Sequence, residues 1–199
     1  MLELAPALNL RMVTDGSDRI AWLKARSRGI TASDAARLAT ENSIYSVAKS
    51  KLEGGYSIGN AYTDHGNQRE PILASWANIH YSFSPSSALF HAEGEMRHLA
   101  TPDGIGVGDH GETLLTEIKT TNKPWRLIPK NYLRQVWWQQ YVLGAERTLL
   151  IWEEHKDFIP VHPEPKCLWI DRDENEIAAL VGRADKVLRL LNGGRHVNP

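Results

Sequence analysis

Cysteine is almost missing from this chain: its 199 residues include one, Cys167. A single thiol forms no intramolecular disulfide and cannot supply a cluster or zinc site that needs several thiolates, so a reducing compartment suits it. Long apolar runs are missing too. No stretch approaches the roughly 20 apolar residues of a membrane span, and the opening MLELAPALNLRMVTDGSDR has no basic start followed by an apolar run. The expectation is a soluble, cytoplasmic protein with no membrane partner. An excess of one charge is likewise lacking, with 23 Lys and Arg against 24 Asp and Glu and a formal charge of −1. Any contact with nucleic acid must then come from a local basic lining. His65, His80, His91, His98 and His110 have no His-Glu-x-x-His or paired Cys and His spacing, which argues against a zinc enzyme. Repeats, low-complexity tracts and interdomain linkers are also lacking. With 42% hydrophobic residues, the length points to one compact domain over residues 1–199.

What the chain does have is legible periodicity. Residues up to about 15 read as an irregular or edge segment, and Ser17 to Leu23 starts a short helix with Trp22 and Leu23 turned inward and Lys24, Arg26 and Arg28 on a polar side. Gly29 breaks it. Thr31-Ala32-Ser33-Asp34 then has capping-box spacing and predicts a second helix to about Ala39. Tyr62 to His80 predicts a longer helix with Ile72, Leu73, Trp76 and Ile79 on one stripe, bent or started at Pro71. Strands are expected at Ala88 to Phe90, Met96 to Ala100, Leu114 to Ile118 and Thr148 to Trp152. A helix from Tyr132 to Leu143 would join the last two as a strand-helix-strand unit. Asp173 to Leu191 carries apolar residues at helical spacing, with Gly193-Gly194 as its stop. The fold class expected is α/β, a mixed central sheet flanked by helices.

The chemistry concentrates at two strands. Asp103 follows Pro102 at a turn, and Glu117 and Lys119, two apart, project from one face of a strand. Adjacent strands can bring Asp103 and Glu117 together to share a divalent ion, with Lys119 beside them and the Ile118 carbonyl as a further ligand. Hard oxygen ligands suit Mg2+ or Mn2+. Such an ion lowers the pKa of a bound water and stabilises charge on a phosphate, and a lysine can orient or help deprotonate that water.

Pro102-Asp103 followed by Glu117-Ile118-Lys119 resembles the signature of the PD-(D/E)XK nucleases, a restriction-endonuclease-like superfamily. Three further stretches are similar to its lambda-exonuclease and YqaJ-like branch, in the same order: Trp22 to Arg26 with Gly29 to Asp34, then Gly66 to Pro71, then Tyr132 to Val136. The resemblance implies that Asp103 and Glu117 hold the metal, that Lys119 is the catalytic lysine, that Glu70 adds a carboxylate to the metal and water network, and that Gln135 orients the site. It also implies that Arg26 and Ser33 bind a 5′-terminal phosphate, with Arg28 and Thr31 in the same DNA-binding stretch. A guanidinium fork and the free amides of a helix start both match phosphate oxygens. One departure is the long, glycine-rich insert from Ile105 to Thr113.

The implied activity is a metal-dependent 5′-to-3′ exonuclease acting on ends of double-stranded DNA, in a phage or prophage setting. A homotrimeric ring and a single-strand annealing recombinase partner are implied with it. An endonuclease of the same superfamily, or an inactive DNA-end-binding module, stands as the alternative. The single cysteine disfavours the iron–sulfur branch. Lys123, Arg126, Lys130 and Arg134 read equally as surface charge or DNA contacts. Trp137 and Trp138 read as helix packing, and Asp171 and Asp173 as turn and cap.

Overall fold

The computed structural model describes residues 6–54 and 60–193. The amino-terminal part contains α1 (Pro6–Asn9), β1 (Met12–Thr14), α2 (Arg19–Ser27), α3 (Ala32–Arg37), α4 (Glu41–Leu52) and α5 (Ala61–Tyr81). Then come β2 (Ser84–Pro85), β3 (Leu89–His91), β4 (Leu99–Ala100), β5 (Gly104–Val107) and β6 (Thr113–Thr121). The chain continues through α6 (Lys130–Leu143), β7 (Arg147–Lys156), β8 (Ile159–Pro160), β9 (Lys166–Asp171) and α7 (Glu174–Gly193).

Helix starts follow from side-chain oxygens that take up free amides. Asp18 caps α2 by accepting from the Ile20 and Ala21 amides, and Thr31 and Asp34 form a reciprocal capping box on α3. Asp173 caps α7 through the Asn175 and Glu176 amides. A second capping box, on Thr40 and Ser43, starts α4, a helix the sequence reading left unassigned. Gly29, just past the Arg28 C-cap of α2, leaves no room for a side chain: a Cβ there would lie 2.2 Å from the Arg97 carbonyl oxygen.

Two apolar stripes differ from expectation. No residue of α2 is buried; Trp22 is half-buried and serves as a surface for the Arg19 and Arg26 guanidiniums, 4.2 and 4.1 Å from its ring centre. On α5 the buried set is His65, Leu73, Ala74 and Ala77, while Ile79 is 77% exposed and Ile72 is exposed as well. The helix packs on the sheet through Leu73, Ala74 and Ala77, not through the two isoleucines. Pro71 sits inside α5 without ending it. Met96, expected in a strand, is exposed outside β4.

The larger sheet runs β2-β5-β6-β7, and β7 continues to both β8 and β9. β6 and β7 are parallel from Leu114↔Arg147 to Thr121↔Glu154, while β5–β6 and β7–β9 are antiparallel. The sheet is therefore mixed. The parallel pair requires a crossover, which α6 provides. The insert after Asp103 is the hairpin itself, β5 and the turn to β6. A smaller sheet, β1-β3-β4, lies beside it. One side of the structure buries Leu115 and Trp138 with Ile44, Val47, Leu180 and Val187 of α4 and α7. The other buries Leu73 and Ala77 of α5 against Ile118, Leu149 and Ile151. The helix α7 is tied to the amino-terminal helices by Arg183 Nη1 donating to the Leu38 carbonyl at 3.1 Å and by Lys186–Glu41. Among the described residues no helix is long and apolar enough to cross a membrane.

Candidate active site

The strand β6 carries its side chains alternately, and Leu115 and Glu117 both turn toward α6. Glu117 is 1% exposed and its carboxylate is surrounded by donors. Its Oε1 accepts from Lys119 Nζ, two residues along the strand, and from Gln135 Nε2 of α6. Its Oε2 accepts from Gln139 Nε2 at 2.6 Å.

Asp103 stands where the chain enters β5, and its Oδ2 accepts the Ile118 amide at 2.6 Å. The main chain is pinned in the same place by Asp103 N donating to the Thr116 carbonyl at 3.2 Å. The next residue has to be glycine: a Cβ at Gly104 would lie 2.5 Å from Thr116 Oγ1. Three carboxyl groups share this space with one ammonium. Burial, and after it Lys119, Glu117 and Arg19, act on Glu70, whose carboxyl is raised. Burial and then Glu117 push Asp103 well above the usual carboxylate range. Burial works against the charge of Lys119, yet Glu117 and Asp103 outweigh it and hold its pKa at about 12. The site thus holds more carboxylate than its one lysine balances, and its hard oxygen donors suit a hard divalent cation. Among the described residues no three His, Cys, Asp or Glu side chains gather as a complete ligand set.

Above these groups lies a cleft of about 470 Å³ whose lining includes Ser33, Glu70, Ile118, Lys119 and Gln135. Five of the residues named from sequence, drawn from α3, α5, β6 and α6, therefore share one cavity wall. Asp103 and Glu117 are not in that lining, nor are Thr31, Arg26 and Arg28. Arg26 lies on Trp22 and Arg28 closes α2 through its amide. Thr31 is buried, its hydroxyl engaged with Asp34 in the capping box, so it acts through the helix start it forms under Ser33.

Two participants were missed from sequence. Gln139 is one helical turn after Gln135, a spacing that could have pointed to it. Arg19 is felt electrostatically by Glu70. Among the basic residues left open, Arg134 is an internal tie, its Nε donating to the Ala36 carbonyl at 2.9 Å. Lys123 and Arg126 line a second cleft of about 570 Å³ that shares Tyr132 with the first. Trp138 is fully buried, its Nε1 donating to the Leu99 carbonyl at 3.0 Å, as a packing residue would. Asp171 pairs with Arg147 at 2.7 Å.

Comparison with known proteins gives consistent results. Residues 21–146 match the YqaJ-like viral recombinase domain. No curated protein matches the chain. Among solved structures, an alkaline exonuclease from Laribacter hongkongensis is 25% identical with a TM-score of 0.67, over 87% of this chain and 92% of that one. The same exonuclease in complex with dAMP gives a TM-score of 0.68 at 24% identity, over 87% and 92%. A phage-related exonuclease from Haemophilus somnus 129PT, at 12% identity and a TM-score of 0.64 over 84% of this chain and 95% of that one, shares the fold.

Proposed function

This chain belongs to the YqaJ-like viral recombinase domain family, and on that premise we propose that it is a metal-dependent deoxyribonuclease that digests one strand of linear duplex DNA from the 5′ end. The observation that carries the reading is the buried carboxylate of Glu117, gripped by Lys119 and Gln135 under a cleft that Glu70 and Ser33 also line. The family match and the exonuclease neighbours support a nuclease; strand polarity, duplex substrate and a role in recombination are our proposals.

Asp103, Glu117 and the Ile118 carbonyl would hold Mg2+ or Mn2+, with Glu70 completing the network. When bound, the ion lowers the pKa of a water and stabilises charge on the scissile phosphate. Lys119, held at about 12, is protonated at neutral pH and acts as a charged donor that orients water and phosphate. Gln135 keeps the outer oxygen of Glu117 in place. Arg26 and Ser33 bind the 5′-terminal phosphate, with Arg28 and Thr31 shaping the same stretch, and Lys123 and Arg126 carry the strand in the adjoining cleft. A homotrimeric ring and a single-strand annealing partner in a bacterial cytoplasm complete the proposal.

The test is digestion of three substrates with Mg2+: linear duplex with a 5′ phosphate, the same duplex with a 5′ hydroxyl, and closed circular DNA. Loss of label from the phosphorylated 5′ end, with the circle intact, is the expected result. A cut circle makes the protein an endonuclease. Binding of ends without digestion makes it an inactive end-binding module.

A further inference from the structure

We infer that Gln139 is a positioning residue that commits the inner oxygen of Glu117 and thereby sets which divalent cation the site prefers. The inference rests on the metal-dependent reading above. The two oxygens of Glu117 have different company. Oε1 meets Lys119 and Gln135, both of which line the cleft. Oε2 meets Gln139, which is 0% exposed and reaches the Thr101 carbonyl at 3.3 Å with the same amide nitrogen.

The direction of that amide is dictated by chemistry, since reversing it would set its oxygen against the carboxylate and the carbonyl, acceptor against acceptor. Holding the donor there leaves the Gln139 Oε1 buried without a partner. A fully buried amide with an orphaned acceptor is unfavourable, and an apolar residue such as the neighbouring Val136 or Val142 would avoid it. The arrangement makes sense if the donor is needed on Glu117.

Its consequence is that only Oε1 of Glu117 lies on the side of the cleft-lining Lys119 and Gln135, where a cation displacing those donors would meet a single oxygen. Magnesium and manganese accept one oxygen from a carboxylate, whereas calcium readily takes both. With Oε2 retained by Gln139, two-oxygen ligation is blocked and calcium is disfavoured.

The experiment uses the full chain without DNA and compares wild type with Gln139→Met, which keeps the length and removes the donor. Binding of Mn2+ is read by the paramagnetic signal of the free ion, binding of Ca2+ by competition, and folding by circular dichroism. We expect Mn2+ affinity to fall by roughly 10- to 100-fold, the usual effect of losing a partner of a ligating side chain, and Ca2+ affinity to fall less. The ratio between the two ions therefore moves toward calcium. A purely structural glutamine would lower the melting temperature without moving that ratio. Should the methionine variant not fold, Gln139→Asn, one methylene short of Glu117, is expected to shift the ratio in the same direction. An unchanged ratio in a folded variant overturns the inference and leaves the nuclease reading standing, whereas a wild type that binds no Mn2+ overturns both.

Discussion

Lys119 and Asp103 occupy one pocket, and their ionisation acts oppositely on stability. Asp103 is raised well above 3.8 and Glu70 above 4.5, by burial first. Their favourable contribution is complete below those unfolded values and is lost as pH rises through the folded ones, so in the metal-free protein the contribution of these two groups declines as pH rises above the unfolded values. The contribution of Lys119 is complete below 10.5 and is lost as pH rises through about 12, so at pH 8 it is intact. Asp103→Asn keeps an acceptor for the Ile118 amide and removes the buried charge. It should raise the metal-free melting midpoint at pH 8 by about 2–4 °C, equivalent to about 1 kcal/mol, and abolish the further rise expected when Mg2+ is added to wild type; a lower midpoint would contradict the charge argument. Lys119→Ala should lower cleavage by roughly 10²- to 10⁴-fold while DNA binding, read by gel shift, stays within a few-fold. Because the ammonium of Lys119 competes for Glu117 Oε1, Mn2+ should bind the variant at least as tightly as wild type. Near-normal cleavage by this variant would remove the whole active-site assignment.

Between elements, α5, which lines the cleft through Glu70, is tied to β7 by Arg69 on Glu153, a two-pronged pair at 2.7 and 2.5 Å with Glu153 only 6% exposed. Arg69→Met strands that carboxylate, and unfolding in urea should report a loss of about 3–5 kcal/mol; adding Glu153→Leu should recover most of it, and a single variant as stable as wild type would show the pair to be dispensable. The elements on either side of this pair differ in how plainly the sequence announces them. The capping box of α3, the unit β6-α6-β7 and the apolar spacing of α7 were readable because each is local and regular. The helix α4 escaped because Tyr45 and Leu52, which should mark an apolar stripe, are exposed, and only Ile44, Val47 and Ala48 are buried. The strand β5, Gly-Ile-Gly-Val, reads as a flexible insert until its partner β6 is known. The strand β9 alternates exposure as an edge strand should, but is short and follows a proline-rich stretch. The site divides similarly. Asp103, Glu117, Lys119, Glu70, Gln135 and Ser33 carried a motif. Gln139 and Arg19 act through burial and proximity, which only the folded chain supplies.

At the scale of the molecule, a net charge of −1 has to be reconciled with a polyanionic substrate. The proposed closed ring of three chains would do so by enclosure, because a threaded duplex cannot diffuse away even where phosphate attraction is weak. Light scattering should then give about three times the 22.4 kDa chain mass. Digestion already under way should survive excess competitor DNA, while moderate salt slows loading. A chain-sized mass with runs that stop on challenge would dismiss the ring and leave the chemistry untouched. The contacts of α7 with Leu38 and Glu41 bear on a different matter, the order of events during synthesis. Every residue proposed for catalysis, from Glu70 to Gln135, leaves the ribosome before α7 begins at Glu174. Until then the apolar face of α4, Ile44 and Val47, lacks Leu180, Ala184, Val187 and Leu188 of α7, its principal packing partner. A nascent chain can hold the whole proposed catalytic set and still lack a closed core, so its folding should be delayed until α7 has been made, and a chain arrested before α7 is the form in which chaperone binding and aggregation should concentrate.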